Sequence, residues 1–135
     1  MSLKKVILLA FIIMLVGTIL ELYLLNHYES ILQLIPILCI SLVILNVIVL
    51  VFLRTRIVKR IFISLLIISA LSGIYGFYLH LVANYEFEIE MKPTANNWDL
   101  LLESLSGALP ALAPLSMIVL GLIGYSYLII INKKE

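Results

Sequence analysis

The sequence predicts an all-α integral membrane protein whose four transmembrane helices form an up-down-up-down bundle. Of its 135 residues, 64% are hydrophobic and only 13% are charged, whereas a soluble domain is roughly half apolar and a quarter charged. The apolar residues also lie in four uninterrupted runs, each long enough to cross a hydrocarbon core about 30 Å thick as a helix. A third observation, the distribution of basic residues, predicts how these helices are oriented.

The four predicted spans account for most of the chain, which we treat as a single transmembrane domain. They cover about residues 6–25, 31–53, 61–83 and 109–131. Lys4 and Lys5 before the first run also suit a secretory signal peptide, but the run is too long and lacks a small-residue cleavage site, so we expect a retained span. The short connections 26–30 and 54–60 force consecutive spans to be antiparallel neighbours. Residues 84–108 form a much longer loop, which is where function often lies.

Nearly all basic residues fall on one side of the predicted membrane. That side holds Lys4, Lys5, Arg54, Arg56, Lys59, Arg60, Lys133 and Lys134, and Lys92 falls on the other. Because short loops rich in Lys and Arg stay in the cytoplasm, the sequence predicts cytoplasmic N- and C-termini and an extracytoplasmic loop 84–108 in the cell (inner) membrane. The basic clusters are short and adjacent to the membrane, so we expect them to meet lipid head groups and expect no nucleic-acid partner.

Acidic residues collect on the predicted outer side. An outer acidic patch comprises Glu29, Glu86, Glu88 and Glu90, with Asp99 and Glu103 further along the chain. One interpretation is a solvated acidic face. The alternative is a patch that concentrates cations or docks a basic partner.

The first half of the long loop has the pattern of a short extended segment. Residues 85–91 alternate apolar and acidic side chains, which is the period of a half-buried strand. The alternative is a helix that prolongs the third span and places Glu86 and Glu90 in repulsion at i, i+4. We therefore expect the extended segment.

The second half of the loop predicts an interfacial amphipathic helix over residues 97–105. Asn96 can cap this helix, and Trp98 suits the head-group level of a membrane. Its predicted apolar face comprises Trp98, Leu101, Leu102 and Leu105. Because a flexible linker would lack such patterned faces, the sequence predicts that loop 84–108 is an ordered cap over the outer end of the bundle.

Small residues within the spans predict which helix faces pack together. Helices in lipid approach closely where side chains are small, since burial of apolar surface gives no driving force there. The predicted packing residues are Gly17, Ser69, Gly73, Gly76, Gly121 and Gly124. On the same stripes of the first and third spans, Glu21, His80 and Asn84 are expected to point into the bundle.

Glu21, His27, His80 and Asn84 form the candidate intramembrane polar site, because their predicted depths are close at the outer edge. Counted at about 1.5 Å per residue from the inner boundary, the two histidines rise about 32 Å and 29 Å, so they could meet. A carboxylate at Glu21 needs a partner or a proton. For each histidine, a bond to a carbonyl or carboxylate is the simplest interpretation, and ligation of haem or a transition metal and proton transfer are the alternatives.

The sequence carries no signature of catalysis. Cys39 is the only cysteine, which excludes an intrachain disulfide, a zinc cluster of cysteines and a Cys-x-x-Cys redox pair. No Gly-rich phosphate loop, nucleophile elbow or His-Glu-x-x-His sequence occurs. We therefore expect a protein without enzymatic activity and predict no cofactor, with haem or a metal at His27 and His80 as the alternative.

The leading functional hypothesis is a small multi-pass membrane protein that acts as an accessory or assembly subunit. Its sequence is rich in packing features and poor in chemistry, which favours a homo-oligomer or binding to a larger membrane protein. The first alternative is an ion- or proton-coupled transport component that uses Glu21 and the acidic outer face. The second alternative is a haem- or metal-binding membrane bundle that uses His27 and His80.

Overall fold

The computed structural model describes residues 1–133, which are helical apart from short connections. The helices are α1 (Leu3–Leu24), α2 (Ile31–Phe52), α3 (Arg56–Met91), α4 (Asn97–Leu105) and α5 (Ser116–Asn132), and a 3-10 turn at Ala113–Leu115 leads directly into α5. No β-strand occurs in that range. Lys134, which the sequence places on the cytoplasmic side, lies outside the described residues together with Glu135.

Four of the helical segments are long and apolar enough to cross a membrane, namely α1, α2, α3 and Ala113–Asn132. This finding confirms an all-α chain with four candidate spans. The fourth segment begins at Ala113 rather than near residue 109, and Pro114 lies in its first turn. Proline suits that position because the first amide hydrogens of a helix have no partner within the helix.

Side-chain caps fix where the second and third long helices begin. Ser30 and Gln33 form a reciprocal capping box at the start of α2, in which the Ser30 Oγ accepts from the Gln33 amide and the Gln33 Oε1 accepts from the Ser30 amide. The Thr55 Oγ1 likewise accepts from the Val58 amide at the start of α3. Each cap satisfies an amide hydrogen that would otherwise lack a partner. The two connections therefore stay short, as the sequence predicts.

The extended segment predicted for residues 85–91 is wrong, because α3 continues as a helix to Met91. At 36 residues it is about 54 Å long at 1.5 Å per residue, well beyond the thickness of a hydrocarbon core. The helical continuation places Asn84 and Glu88 on one face towards α4. Glu86 and Glu90 are both exposed, where water weakens the repulsion that argued against the helix.

The buried core lies where α1, α2, α3 and α5 meet. Its largest members are Tyr127, Phe11 and Phe62, whose exposed fractions do not exceed 1%. Phe11 and Phe62 pack edge to face with ring centres 5.9 Å apart, which is a favourable arrangement for two aromatic rings. α3 contacts α2, α4, α5 and the 3-10 turn. It is therefore the helix around which the others are arranged.

Five of the six predicted packing residues lie at close helix contacts. A Cβ added at Gly73 would lie 2.5 Å from the Pro114 carbonyl oxygen, and one at Gly124 would lie 2.7 Å from the Phe11 ring. Gly76 faces the Pro114 ring and Gly121 faces the Leu66 carbonyl. Ser69 is fully buried, and its Oγ has no hydrogen-bond partner within residues 1–133.

Gly17 does not pack against another helix of this chain. A Cβ added at Gly17 would meet no atom within 4 Å, and the residue is exposed. The buried residues of α1 are instead Phe11 and Leu15. At the contact of α1 with α5, the small residue is Gly124 of α5, and α1 supplies the large ring of Phe11 that fills the space. Gly17 therefore faces away from this core.

The close contact at Gly73 gives a prediction for stability. Gly73→Ala would push a methyl group into the Pro114 carbonyl and the Met117 side chain, and overpacking of this kind costs about 1–3 kcal/mol. We expect a lower unfolding midpoint in detergent, followed by circular dichroism. Gly121→Ala is the matched control, because its nearest neighbour would lie at an ordinary 3.5 Å. A Gly73→Ala protein that melts no earlier than the Gly121→Ala protein would contradict this packing.

Candidate functional site

Several polar side chains meet at the end of the structure where α3 extends beyond its apolar part. Residues 92–115 fold back along this end of α3 through α4 and the 3-10 turn. Three polar contacts hold the two segments together, centred on Asn84, on Lys92 and on His80. We call this end of the molecule the polar end.

Asn84 joins α3 to the chain that follows α4. Its Nδ2 donates to the carbonyl oxygens of Ser104 at 2.8 Å and Leu109 at 2.7 Å. Its Oδ1 accepts from the Leu109 amide at 3.0 Å. The side chain is 3% exposed, so these bonds form away from water, where an unsatisfied polar group is costly. A Cβ at Gly107 would lie 2.6 Å from the Asn84 Cγ, which explains why a glycine follows α4.

Lys92 forms the second contact, at the end of α3. Its Nζ lies 2.5 Å from a carboxylate oxygen of Glu103 and 3.6 Å from one of Glu88. The hydrogen bond to Glu103 raises the pKa of Lys92, and the same bond lowers the pKa of the Glu103 carboxyl. Since Lys92 and Glu103 face solvent, their ion pair orients α4 more than it stabilises the fold.

The helix predicted over residues 97–105 is present as α4, but a different face of it is buried. Asn96 caps the helix, with its Oδ1 accepting from the Asp99 amide at 2.9 Å. The residues buried in α4 are Leu100 and Ser104. Trp98 is 66% exposed and Leu102 49% exposed, so the predicted apolar face points away from the chain's own core. The contact with α3 selects the face that carries Ser104, whose small side chain allows close approach and bonds to its own helix at Leu100.

His27 and His80 lie side by side, as their predicted depths allow. Their ring centres are 6.2 Å apart, and the ring planes make an angle of 70°. His27 belongs to the connection between α1 and α2, and His80 belongs to α3. The Nδ1 of His80 lies 3.2 Å from the Pro110 carbonyl oxygen, the kind of partner expected for an interfacial histidine. Partial burial lowers the pKa of His27, and the nearby His80 lowers it further.

Glu21 does not belong to this cluster, and the expectation that it points into the bundle is wrong. The residue is exposed on α1, and its side chain makes no hydrogen bond or ion pair within the described part of the chain. Glu21 follows Gly17 by one helical turn, so both residues share the outward face of α1. The fold therefore unites His27 and His80, places Asn84 beside α4, and leaves Glu21 outside.

The predicted outer acidic patch is divided between two environments. Glu29, Glu86 and Glu90 are exposed, whereas Glu88 is partly buried and paired with Lys92. Residues 1–133 contain no group of three or more His, Cys, Asp or Glu side chains that could hold a metal ion. The two neighbouring histidines are therefore the candidate ligands that remain at the polar end.

Several residues that shape the polar end carry only weak signals in the sequence. The carbonyl oxygens of Pro110, Ser104 and Leu109 are main-chain atoms, which no side-chain pattern reveals. Lys92 could have been found from the sequence, because it is the one basic residue of loop 84–108 and several glutamates surround it there.

Comparisons with known proteins add nothing to this geometry. No protein-family model, no curated protein and no solved structure matches the chain. The contacts and exposed surfaces described above are therefore the basis for a functional proposal.

The buried bonds of Asn84 give a prediction for the order of the polar end. Asn84→Ala removes the partner of one buried carbonyl, that of Ser104, and of two partly buried groups at Leu109, and a buried group left unsatisfied costs about 1–3 kcal/mol. We expect amide hydrogen exchange in residues 97–109 to accelerate by about tenfold or more as this region opens locally. Asn97→Ala is the matched control, because Asn97 is exposed and its side chain makes no hydrogen bond within residues 1–133. Equal exchange in the two variants would show that Asn84 does not hold α4 in place.

Proposed function

We infer that the protein is a small multi-pass subunit of the cell membrane that assembles with a second copy or with a larger membrane protein. The four long apolar helices support its insertion into a bilayer. The basic residues at the N-terminus and in the connection between α2 and α3 support an orientation with both termini in the cytoplasm. In that orientation the helices run up and down, and the polar end faces the extracytoplasmic side.

The observation that carries the proposal is the unoccupied outward face of α1. Only Phe11 and Leu15 are buried in α1, compared with seven buried residues in α5. Outside the buried face lie Gly17, which has open space beside it, and Glu21, which is exposed. Of the four candidate spans, α1 is the one most open to a partner.

Glu21 makes this face unsuited to lipid. Counted from Val6 at about 1.5 Å per residue, it lies about 22 Å into a hydrocarbon core about 30 Å thick. Ionisable side chains at such depths are costly and face a protein partner or water in most membrane proteins. Gly17, one turn below, allows another helix to approach closely enough to provide such a partner. A neighbouring helix on this face would satisfy both residues.

The transport alternative has less support, because it needs Glu21 to gather ions within the chain's own bundle. Glu21 instead faces outward, and Glu88 of the acidic patch is paired with Lys92. An ion path along Glu21 would therefore require a second molecule beside α1, so transport would also depend on assembly.

The assembly proposal predicts position-specific crosslinking in intact membranes. A photo-crosslinking amino acid at Gly17 should give either a product of twice the chain's mass or a discrete larger product. The same amino acid at Leu45, which is 60% exposed on α2, is the control and should react mainly with lipid. Gly17→Leu should weaken the product when the probe is placed at Leu20, because the bulky side chain prevents close approach. Equal or absent protein crosslinks from positions 17 and 45 would refute the proposal.

The orientation predicts which engineered cysteines a membrane-impermeant thiol reagent reaches from outside. Cys39 is the only cysteine and is 8% exposed, so a Cys39→Ala background is clean. In right-side-out vesicles, Thr94→Cys should react and Ser2→Cys should react only after the membrane is opened. The reverse pattern would show that the topology is inverted. Equal labelling of both positions would show that they lie on the same side of the membrane.

A further inference from the structure

The histidine pair joins two parts of the chain that are distant in sequence. His27 lies between α1 and α2, His80 lies in α3, and no other histidine occurs in the chain. Their ring centres are 6.2 Å apart. An edge-to-face contact of this kind is ordinary for two aromatic rings, and a shared cation would in addition use one lone pair from each imidazole.

The separation of the rings fits a single metal ion between them. With metal–nitrogen bonds of about 2.0–2.1 Å, each ring centre lies about 3.2 Å from the ion. Two ring centres are then about 6.4 Å apart when the imidazoles lie on opposite sides of the ion, and about 5.2 Å apart at a tetrahedral angle. The observed 6.2 Å is close to the first value. The distance between the ring centres is therefore compatible with one ion held between the two imidazoles.

The surroundings of His80 also suit a metal ligand. A carbonyl oxygen only accepts hydrogen bonds, so the contact with Pro110 requires the hydrogen on Nδ1. That tautomer leaves the Nε2 of His80 with a free lone pair. Metal-binding histidines are typically held in this way, with the second nitrogen donating to a carbonyl or carboxylate oxygen.

We propose that His27 and His80 bind one Cu²⁺ ion on opposite sides, with water completing its coordination. Imidazole nitrogens suit this ion, a tetragonal arrangement of nitrogen and oxygen ligands is the one it prefers, and Cu²⁺ binds such sites more tightly than the other divalent ions of its row. The absence of a third protein ligand among residues 1–133 makes this an open site in which the ion can exchange. A bound ion would also tie the connection between α1 and α2 to α3.

The test uses the full chain in detergent with a tag that contains no histidine, in a Cys39→Ala background. The tag is placed at the N-terminus so that the chain's own amine is not a ligand. After EDTA treatment, titration with Cu²⁺ should show one ion per chain, and the electron paramagnetic resonance spectrum should show coupling to two nitrogens. His27→Gln and His80→Gln should each weaken binding by at least tenfold. Glu90→Gln, an exposed acidic position further along α3, should bind as the parent does.

Several outcomes would overturn the proposal. Binding that survives in the His27→Gln/His80→Gln double variant would place the ion elsewhere, and coupling to a single nitrogen would remove one of the two ligands. A Soret band in the purified protein would assign the pair to haem instead. A separate readout guards against misfolded variants, since Cu²⁺ should raise the unfolding midpoint of the parent protein and of Glu90→Gln but not of either histidine variant.

Discussion

The structure depends on one continuous contact along α3. Gly73 and Gly76 let Pro114 approach the helix backbone closely, and this approach determines where the 3-10 turn lies. One turn further along α3, the Pro110 carbonyl therefore meets His80. One turn beyond that, the main chain at Leu109 meets Asn84. A larger residue at Gly73 would move the turn, and the two polar contacts would move with it.

The chemistry of this contact changes along its length. In its apolar part it consists of glycine backbone against rings and side chains, such as Gly76 against the Pro114 ring. Such close packing is how helices gain energy in lipid, where burial of apolar surface contributes little. At Asn84 it changes to buried hydrogen bonds, and at Lys92 to an exposed ion pair. Each kind of contact suits a different surrounding: hydrocarbon, a dry protein interface and water.

The sequence predicts the four long apolar helices well, because uninterrupted apolar runs of that length favour a helix long enough to cross a bilayer. It also predicts the stripe of α3 that carries Gly73, His80 and Asn84, since small and polar residues share one face there. At Gly17 the sequence does not reveal whether the covering helix belongs to this chain, because a small residue shows only that a helix can approach. It fails at residues 85–91 because alternation of short length also fits a helix. In the structure, this part of α3 packs against α4, and no local sequence pattern reveals where α4 lies.

The fold also decides how a partner on α1 would relate to the rest of the molecule. α1 is held to the core through Phe11, which fits over Gly124, and the chain after it is held at His27 beside His80. Gly17 lies between these points in the sequence but on the opposite side of the helix from Leu15, which is buried. A partner helix at Gly17 would thus displace no existing contact. Assembly through α1 and a metal ion at the histidine pair are therefore compatible, since they use different sides of the same segment.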